Sequence, residues 1–279
     1  CRNAELLHAA LLAELEIYSP DMLTVGIDVY NVEAEALGCR VVWFEDSNHV
    51  PAIAGPLLER ASDLDRLGLP DPGRDGRMPL FVETAARLQR ELGDEMIVRG
   101  ALTGPFSLAS ELLGAEALLI ASIEDPPFLR RLLEFAARVT VCFGAAFAAC
   151  GVEPIVFDSR ATPRLSSPRV FREFIVPVYR GIVAPGLKAA GARWLPLIIG
   201  GDTTAVVDDL IRTGATQLLC DHNASLEEFL EKTAPAGVAF RANADARLVH
   251  SGPPSMIRQA VPTWISSPVC NHSALPLDS

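Results

Sequence analysis

The sequence predicts a single α/β domain of the (β/α)8 barrel type, and three observations support this. Near the C-terminus four apolar runs each break into a polar cluster: LPLIIGGDT (195–203), TQLLCDH (216–222), GVAFRANAD (237–245) and TWISSPVCNH (263–272). Strands of a parallel sheet read as continuous apolar runs because they are buried on both faces. Helix-like stretches of about two to three turns separate the runs, as consecutive βα units require. The chain also has a suitable size, with 279 residues, 49% hydrophobic and 21% charged, where one such barrel takes about 250.

The elements follow in chain order. AELLHAALLAELEIY is helix-like, MLTVGID (22–28) reads as a strand ending at Asp28, NVEAEALG (31–38) as a short helix or turn, and CRVVWFED (39–46) as a second extended piece. Residues 53–67 and 79–92 have helical patterns, with the Pro/Gly-rich LPDPGRDGRMP as a surface loop between them. EMIVRGALTGP (95–105) is a strand opening into a Thr-Gly-Pro turn, followed by the helix-like SLASELLG. Pro126 and Pro127 suit the first turn of a long helix reaching about Cys150, because the amide that proline lacks is unpaired there anyway. PIVFDS (154–159) is a strand ending at Asp158 and Ser159. From Ser167 the chain is helix-like, with Pro177 and Pro185 expected to kink or interrupt it. Barrel strands are therefore expected at 22–28, 95–101, 154–158, 195–199, 216–221, 237–243 and 263–267. A closed barrel takes eight, so the remaining strand is either the piece at 40–45 or lies upstream of Cys1, with the chain N-terminally truncated.

Composition excludes several function classes. Lys and Arg total 24 against 35 Asp and Glu, a net charge of −11. With the acids dispersed and no basic stripe to neutralise phosphates, nucleic-acid binding is not expected. The longest uncharged stretch, Val139 to Val152, falls short of the roughly 20 residues a membrane span needs, and no signal-peptide pattern opens the chain. The six cysteines, at 1, 39, 142, 150, 220 and 270, lie mostly in apolar runs. That is not the spacing of a disulfide scaffold, so free thiols in a reducing cytoplasm are expected.

In parallel α/β folds the residues just past the C-terminal strand ends meet the ligand. Here those positions carry Asp28, Asp158, Asp202, Cys220, Asp221, His222, Asn243, Asp245, Cys270 and His272. Cys220-Asp-His222 and Cys270-Asn-His272 offer thiolate and imidazole, the ligands tetrahedral zinc takes, and alternation can put i and i+2 on one side of a strand. The other reading makes the cysteines small core residues and the histidines loop caps. Asp28, Asp158 and Asn243 are the candidate catalytic residues, since carboxylates at strand ends can bind ligand N–H groups or exchange protons. The competing reading for the two aspartates is helix capping, or pairing with Arg160. Glu33 and Glu35 read as first-turn helix residues favoured by the macrodipole. Ser159, Thr103, Phe106, Asp202 and Asp245 are candidate substrate-binding residues. Three of them flank the glycines of TGPF (103–106) and GGDT (200–203), where a ligand can approach the backbone closely. No phosphate loop, dinucleotide fingerprint or Gly-x-Ser-x-Gly elbow occurs, so neither nucleotide cofactors nor a serine hydrolase gains support.

Several segments together resemble the uroporphyrinogen decarboxylase superfamily, which includes the decarboxylase and the cobamide-dependent methyltransferases. They are VGIDVYNVEAEALGC (25–39), LTGPFSLASELLG (102–114), FDSRATPRLSSPRVFREFIVP (157–177), LIIGGDT (197–203), ANADARLVHSG (242–252) and ISSPVCNHSALP (265–276). The resemblance implies a TIM-type barrel with its site at the C-terminal mouth, and the EAEALG run resembles the methyltransferase branch. Members of that branch bind zinc through a His-x-Cys pair and a distant Cys. Carried over, the distant ligand falls on Cys270, while the pair falls on Ile198 and Gly200, neither of which can ligate through a side chain.

The first reading is a methyltransferase moving a methyl group between a cobamide, carried on a partner corrinoid protein, and a small-molecule donor or acceptor. Its zinc site is then absent, or rebuilt from Cys270, His272, Cys220 and His222. The second is a cofactor-free lyase acting on a tetrapyrrole, with Asp28 matching the Asp that contacts pyrrole N–H groups. The third is a non-catalytic partner of a corrinoid protein.

Overall fold

A computed structural model of the chain describes residues 2–26, 28, 30–45 and 49–265, with side chains through residue 259. Its strands are β1 (Met22–Val25), β2 (Val41–Val42), β3 (Ala52–Ile53), β4 (Ile97–Thr103), β5 (Glu153–Phe157), β6 (Pro196–Ile198), β7 (Gln217–Cys220) and β8 (Ala239–Ala242). Six of them form one parallel sheet in the order β1-β4-β5-β6-β7-β8. Sequential neighbours joined by helical crossovers are the barrel pattern, but among the described residues the sheet has six strands rather than the eight of a closed barrel.

Three expectations need correction. The piece at 40–45 is not a barrel strand; β2 pairs antiparallel with β3, Val41 opposite Ile53, in a separate two-stranded ribbon. Both its strands are at least partly exposed, so its apolar run reflects a half-covered ribbon. The expected strand at 263–267 is helical as far as it is described, within Pro254–Ile265. The helix expected over 53–67 is instead β3 followed by a 3-10 turn at Ala61–Arg66, because Gly55-Pro56 breaks the pattern.

Strand alternation divides the core into two layers. Ala101, Ile155, Ile198 and Leu219, with Phe157 against them, form an inner apolar cluster on the concave face. Their sequence neighbours Leu102, Val156, Leu197, Leu218 and Cys220 face the helices in the main core, as a period of two requires. The sheet is curled enough that Arg99 on β4 reaches Gln217 on β7 across two intervening strands, Nη1 to Oε1, at 3.3 Å.

The long helix Pro126–Ala149 matches the expectation. Asp125 caps it by accepting from the Phe128 amide at 3.0 Å, and proline fills its first turn. By length and composition it could cross a membrane, but half of its most apolar window is buried in this fold. Leu129, Leu132, Leu133, Ala136, Phe143 and Phe147 are fully or almost fully enclosed. The stretch 168–189 is helical through both prolines by alternating α turns with two π segments, Phe171–Ile175 and Tyr179–Val183. In these wider turns the Val176 and Ala184 amides bond back to Phe171 and Tyr179, so Pro177 and Pro185 each fall in a new first turn.

Phe147 lies flat against β4 at Gly100, where an added Cβ would stand 2.4 Å from the ring. Gly100→Ala is expected to cost about 1–3 kcal/mol by overpacking. Gly68→Ala, with open space at its Cβ, is expected to change stability by less than about 0.5 kcal/mol. Urea unfolding of the two variants side by side checks this, and equal midpoints would show that helix and strand are not in contact there.

Candidate functional site

The mouth begins where β1 ends. Asp28 is buried and pairs neither with Arg160 nor with the following helix, but with the guanidinium of Arg77. Arg77 stands at the start of the helix Met78–Leu92 and is itself 8% exposed. It donates through Nη1 to Asp28, through Nε to Glu35 Oε2 at 2.5 Å and through Nη2 to Asn31 Oδ1 at 2.6 Å. The Trp43 ring centre lies 4.7 Å from the same guanidinium. A planar fork suits this role, since it can serve several acceptors and one ring face at once.

Glu33 lies in the first turn of the helix Val32–Ala36, as expected, and is buried there at 1% exposure. Its carboxyl accepts from the Thr103 amide and the Thr103 hydroxyl, both at 2.6 Å. Burial raises its pKa and these two donors only partly offset that. Thr103 Oγ1 also accepts from the Tyr30 amide at 3.0 Å, which helps hold Tyr30 at φ 78, a costly backbone region for a bulky residue. The Tyr30 hydroxyl then donates to Ser159 Oγ at 2.7 Å. Thr103 is therefore committed to Glu33 and Tyr30, while Phe106 is buried in the main core.

Asp158 has no exposed surface. Its carboxyl accepts from the Ser107 amide at 2.7 Å, the Phe106 amide at 3.3 Å and the Tyr179 hydroxyl at 2.8 Å. It thus caps a helix, but that of the preceding unit, Pro105–Leu113, rather than its own. Gly104 permits the approach, since a Cβ there would lie 2.3 Å from Asp158 Cβ. Burial pushes the Asp158 pKa up against the pull of those donors. Arg160 turns to Glu111 instead, Nη2 to Oε1, at 2.5 Å.

On the other side, β7 and β8 end in a polar cluster. Asp221 Oδ2 accepts from the Gly201 amide at 2.7 Å, and its Oδ1 faces the His222 amide at 2.9 Å and the His222 Nδ1 at 3.2 Å. Burial opposes ionisation of Asp221, but the Gly201 and His222 donors outweigh it and hold the carboxyl below its ordinary pKa. His222 Nε2 lies 4.0 Å from Asp245 Oδ1, so the ring stands between two carboxylates at the rim. Asp245 also caps the helix Ala246–Ser251 through the Arg247 amide at 2.8 Å. Asp202 is exposed and holds its own turn through the Thr204 amide, at 3.1 Å. The Asn243 amide continues the ladder to the Cys220 carbonyl at 3.1 Å.

The structure does not bring Cys220 and His222 together. Cys220 packs with the outer core while His222 is exposed, and burial, with Asp221 and Asp202 nearby, pushes the thiol up to about 11. Ile198, at one carried-over ligand position, belongs to the inner apolar cluster. Gly200 has no side chain, and Cys270 and His272 lie outside the described residues. Among the described residues no three His, Cys, Asp or Glu are placed to hold a metal, so the donor set there does not fit zinc. Sequence reasoning missed Arg77, Tyr30 and Tyr179, whose partners are distant in sequence. It also missed the Thr162 and Thr203 hydroxyls, which are buried in the loops after β5 and β6 with no partner among the described residues.

A buried thiol reacts through its scarce thiolate. Alkylation of Cys220, followed by peptide mapping, is expected to be slow near about pH 8 and to accelerate toward its raised value of about 11. Modification at neutral pH as fast as that of an exposed thiol would contradict this.

Comparison with known proteins places this geometry. The family profile for uroporphyrinogen decarboxylase (URO-D) matches residues 1–273. The chain is 28% identical over 275 residues to a uroporphyrinogen decarboxylase of Xanthomonas euvesicatoria pv. vesicatoria, covering 95% of this chain and 75% of that one. It is 24% identical over 175 residues to the methylcobamide:CoM methyltransferase MtaA of Methanosarcina barkeri, covering 62% of this chain and only 50% of that one. A solved methyltransferase from Methanosarcina mazei shares the fold, with TM-score 0.85 and 21% identity over 95% of this chain and 77% of its own. The chain belongs to the uroporphyrinogen decarboxylase family.

Proposed function

We propose that this chain is a cytoplasmic methyltransferase of that family. It would exchange a methyl group between a cobamide on a partner corrinoid protein and a small molecule, with a zinc site that is non-standard or absent. The observation that carries the reading is His222 held between Asp221 and Asp245 at the rim. A methylated cobamide supplies the methyl group and keeps the electron pair of the bond that breaks. An acceptor of the type R–XH must then lose its proton as the new X–C bond forms. With Nδ1–H directed to Asp221 Oδ1, His222 Nε2 is free to take that proton, and Asp245 steadies the imidazolium that results. Asp28 and Asp158 act as positioning groups, one through Arg77 and the other through the helix it caps. The run in the opposite direction uses the same groups, with His222 returning the proton.

The charge of the mouth favours this over a polycarboxylate substrate. Among the described residues the mouth carries the carboxylates of Asp28, Glu35, Glu111, Asp202, Asp221 and Asp245, and the guanidiniums of Arg77 and Arg160 are already engaged by three of them. The second reading, a tetrapyrrole carboxy-lyase, is supported by the place of Asp28 and by the 95% coverage of the decarboxylase match.

Anaerobic spectral titration with methylcobalamin and a panel of thiol, hydroxyl and amine acceptors tests the first reading. Acceptor-dependent demethylation is expected, with kcat lowered about 10²–10⁴-fold in His222→Gln and unfolding unchanged. An unaltered methylcobalamin spectrum with carbon dioxide released from uroporphyrinogen would replace it with the second.

A further inference from the structure

The inner face of the sheet holds two cations at the end opposite the mouth. Arg99 is the third residue of β4, and Arg241 the third of β8. Arg99 shares its face with Ala101, two residues on, and Arg241 is the register partner of Leu219. Both side chains therefore project into the concave interior beneath the apolar cluster. Arg99 is 5% exposed, and its Nη1 donates to Gln217 Oε1 at 3.3 Å. Arg241 is half-buried. The Nε of each is buried with no acceptor among the described residues.

The nearest carboxylate does not resolve this. Glu153 on β5 is the register partner of Arg99, but its oxygens accept from Arg193, Nε at 2.6 Å and amide at 3.2 Å. Burial depresses the pKa of both guanidiniums. Arg241 adds to the effect at Arg99, and Glu153 works against it. Neither guanidinium is neutralised in this way, since arginine stays charged in proteins. Two like charges with unpaired donors in an enclosed space are costly unless an anion joins them.

We propose that the floor of this barrel is an oxyanion site, in which a phosphate, sulfonate or carboxylate group bridges Arg99 and Arg241. A tetrahedral or planar oxyanion offers both unpaired Nε–H groups charge-assisted acceptors, which guanidinium forks favour over a single water. The site is separate from His222 and the rim, and it stands or falls independently of the methyl-transfer reading.

The test is thermal unfolding of the full chain in inorganic phosphate, with ionic strength held constant by sodium chloride. A ligand that binds only the folded state raises the midpoint with its concentration. The midpoint is expected to climb with phosphate in the native protein and in Arg90→Met, a surface control. In Arg241→Met the phosphate affinity is expected to fall at least about tenfold. Isothermal titration of the native protein with phosphate gives the same readout should Arg241→Met fail to fold. A midpoint that ignores phosphate, no heat of binding, or an unchanged response in Arg241→Met would each overturn the proposal. The first two results would mean that a group of the protein itself, or water, occupies the floor.

Discussion

Much of the mouth is tied together through one buried carboxylate. Asp158 closes β5, caps the helix that follows β4, and holds Tyr179 in the π segment that packs behind the sheet. Its own amide donates to the Ile198 carbonyl of β6 at 2.9 Å. Three successive βα units thus meet at a side chain with no solvent contact. A carboxylate left there without donors would be strongly unfavourable, whereas two amides at a helix start and a hydroxyl make it a favourable anchor. Ser159, next in sequence, receives Tyr30 from the β1 side, so the loop after the first strand is set by the same corner.

The two ends of the curled six-stranded sheet differ in electrostatic character. At the C-terminal end the carboxylates are either shared with Arg77 and Arg160 or held by amides and hydroxyls, with the exposed His222 ring between Asp221 and Asp245. At the N-terminal end the Nε groups of Arg99 and Arg241 have no acceptor among the described residues. Between them lies the apolar layer of Ala101, Ile155, Ile198 and Leu219. Ile198 in that layer is one of the two positions onto which the family resemblance carries a metal ligand. Its side chain belongs to the apolar wall of the interior.

The apolar runs in the sequence placed six strands well, from Met22–Val25 to Ala239–Ala242, and Pro126 correctly opened the long helix. Runs at 40–45 and 263–267 carry the same composition without the same context. The first pairs in a ribbon and the described part of the second, to Ile265, is helical, neither of which composition alone reveals. The polar strand ends were legible for the same reason as the strands. What each one touches was not, because those contacts are distant in sequence: Asp28 to Arg77, Asp158 to Ser107, Glu33 to Thr103. Cys220 illustrates the limit. Its face follows from strand parity, Leu218 and Cys220 outward, Leu219 inward, and a one-residue uncertainty in register reverses that assignment.

The most direct measurement is the unfolding free energy of Asp158→Ala beside Asp158→Asn in urea. Asn keeps one acceptor oxygen for the Ser107 amide, and Ala keeps none. If Asp158 anchors the mouth, Ala should lose about 3 kcal/mol and Asn roughly half as much. Two variants as stable as the native chain would contradict the anchoring role.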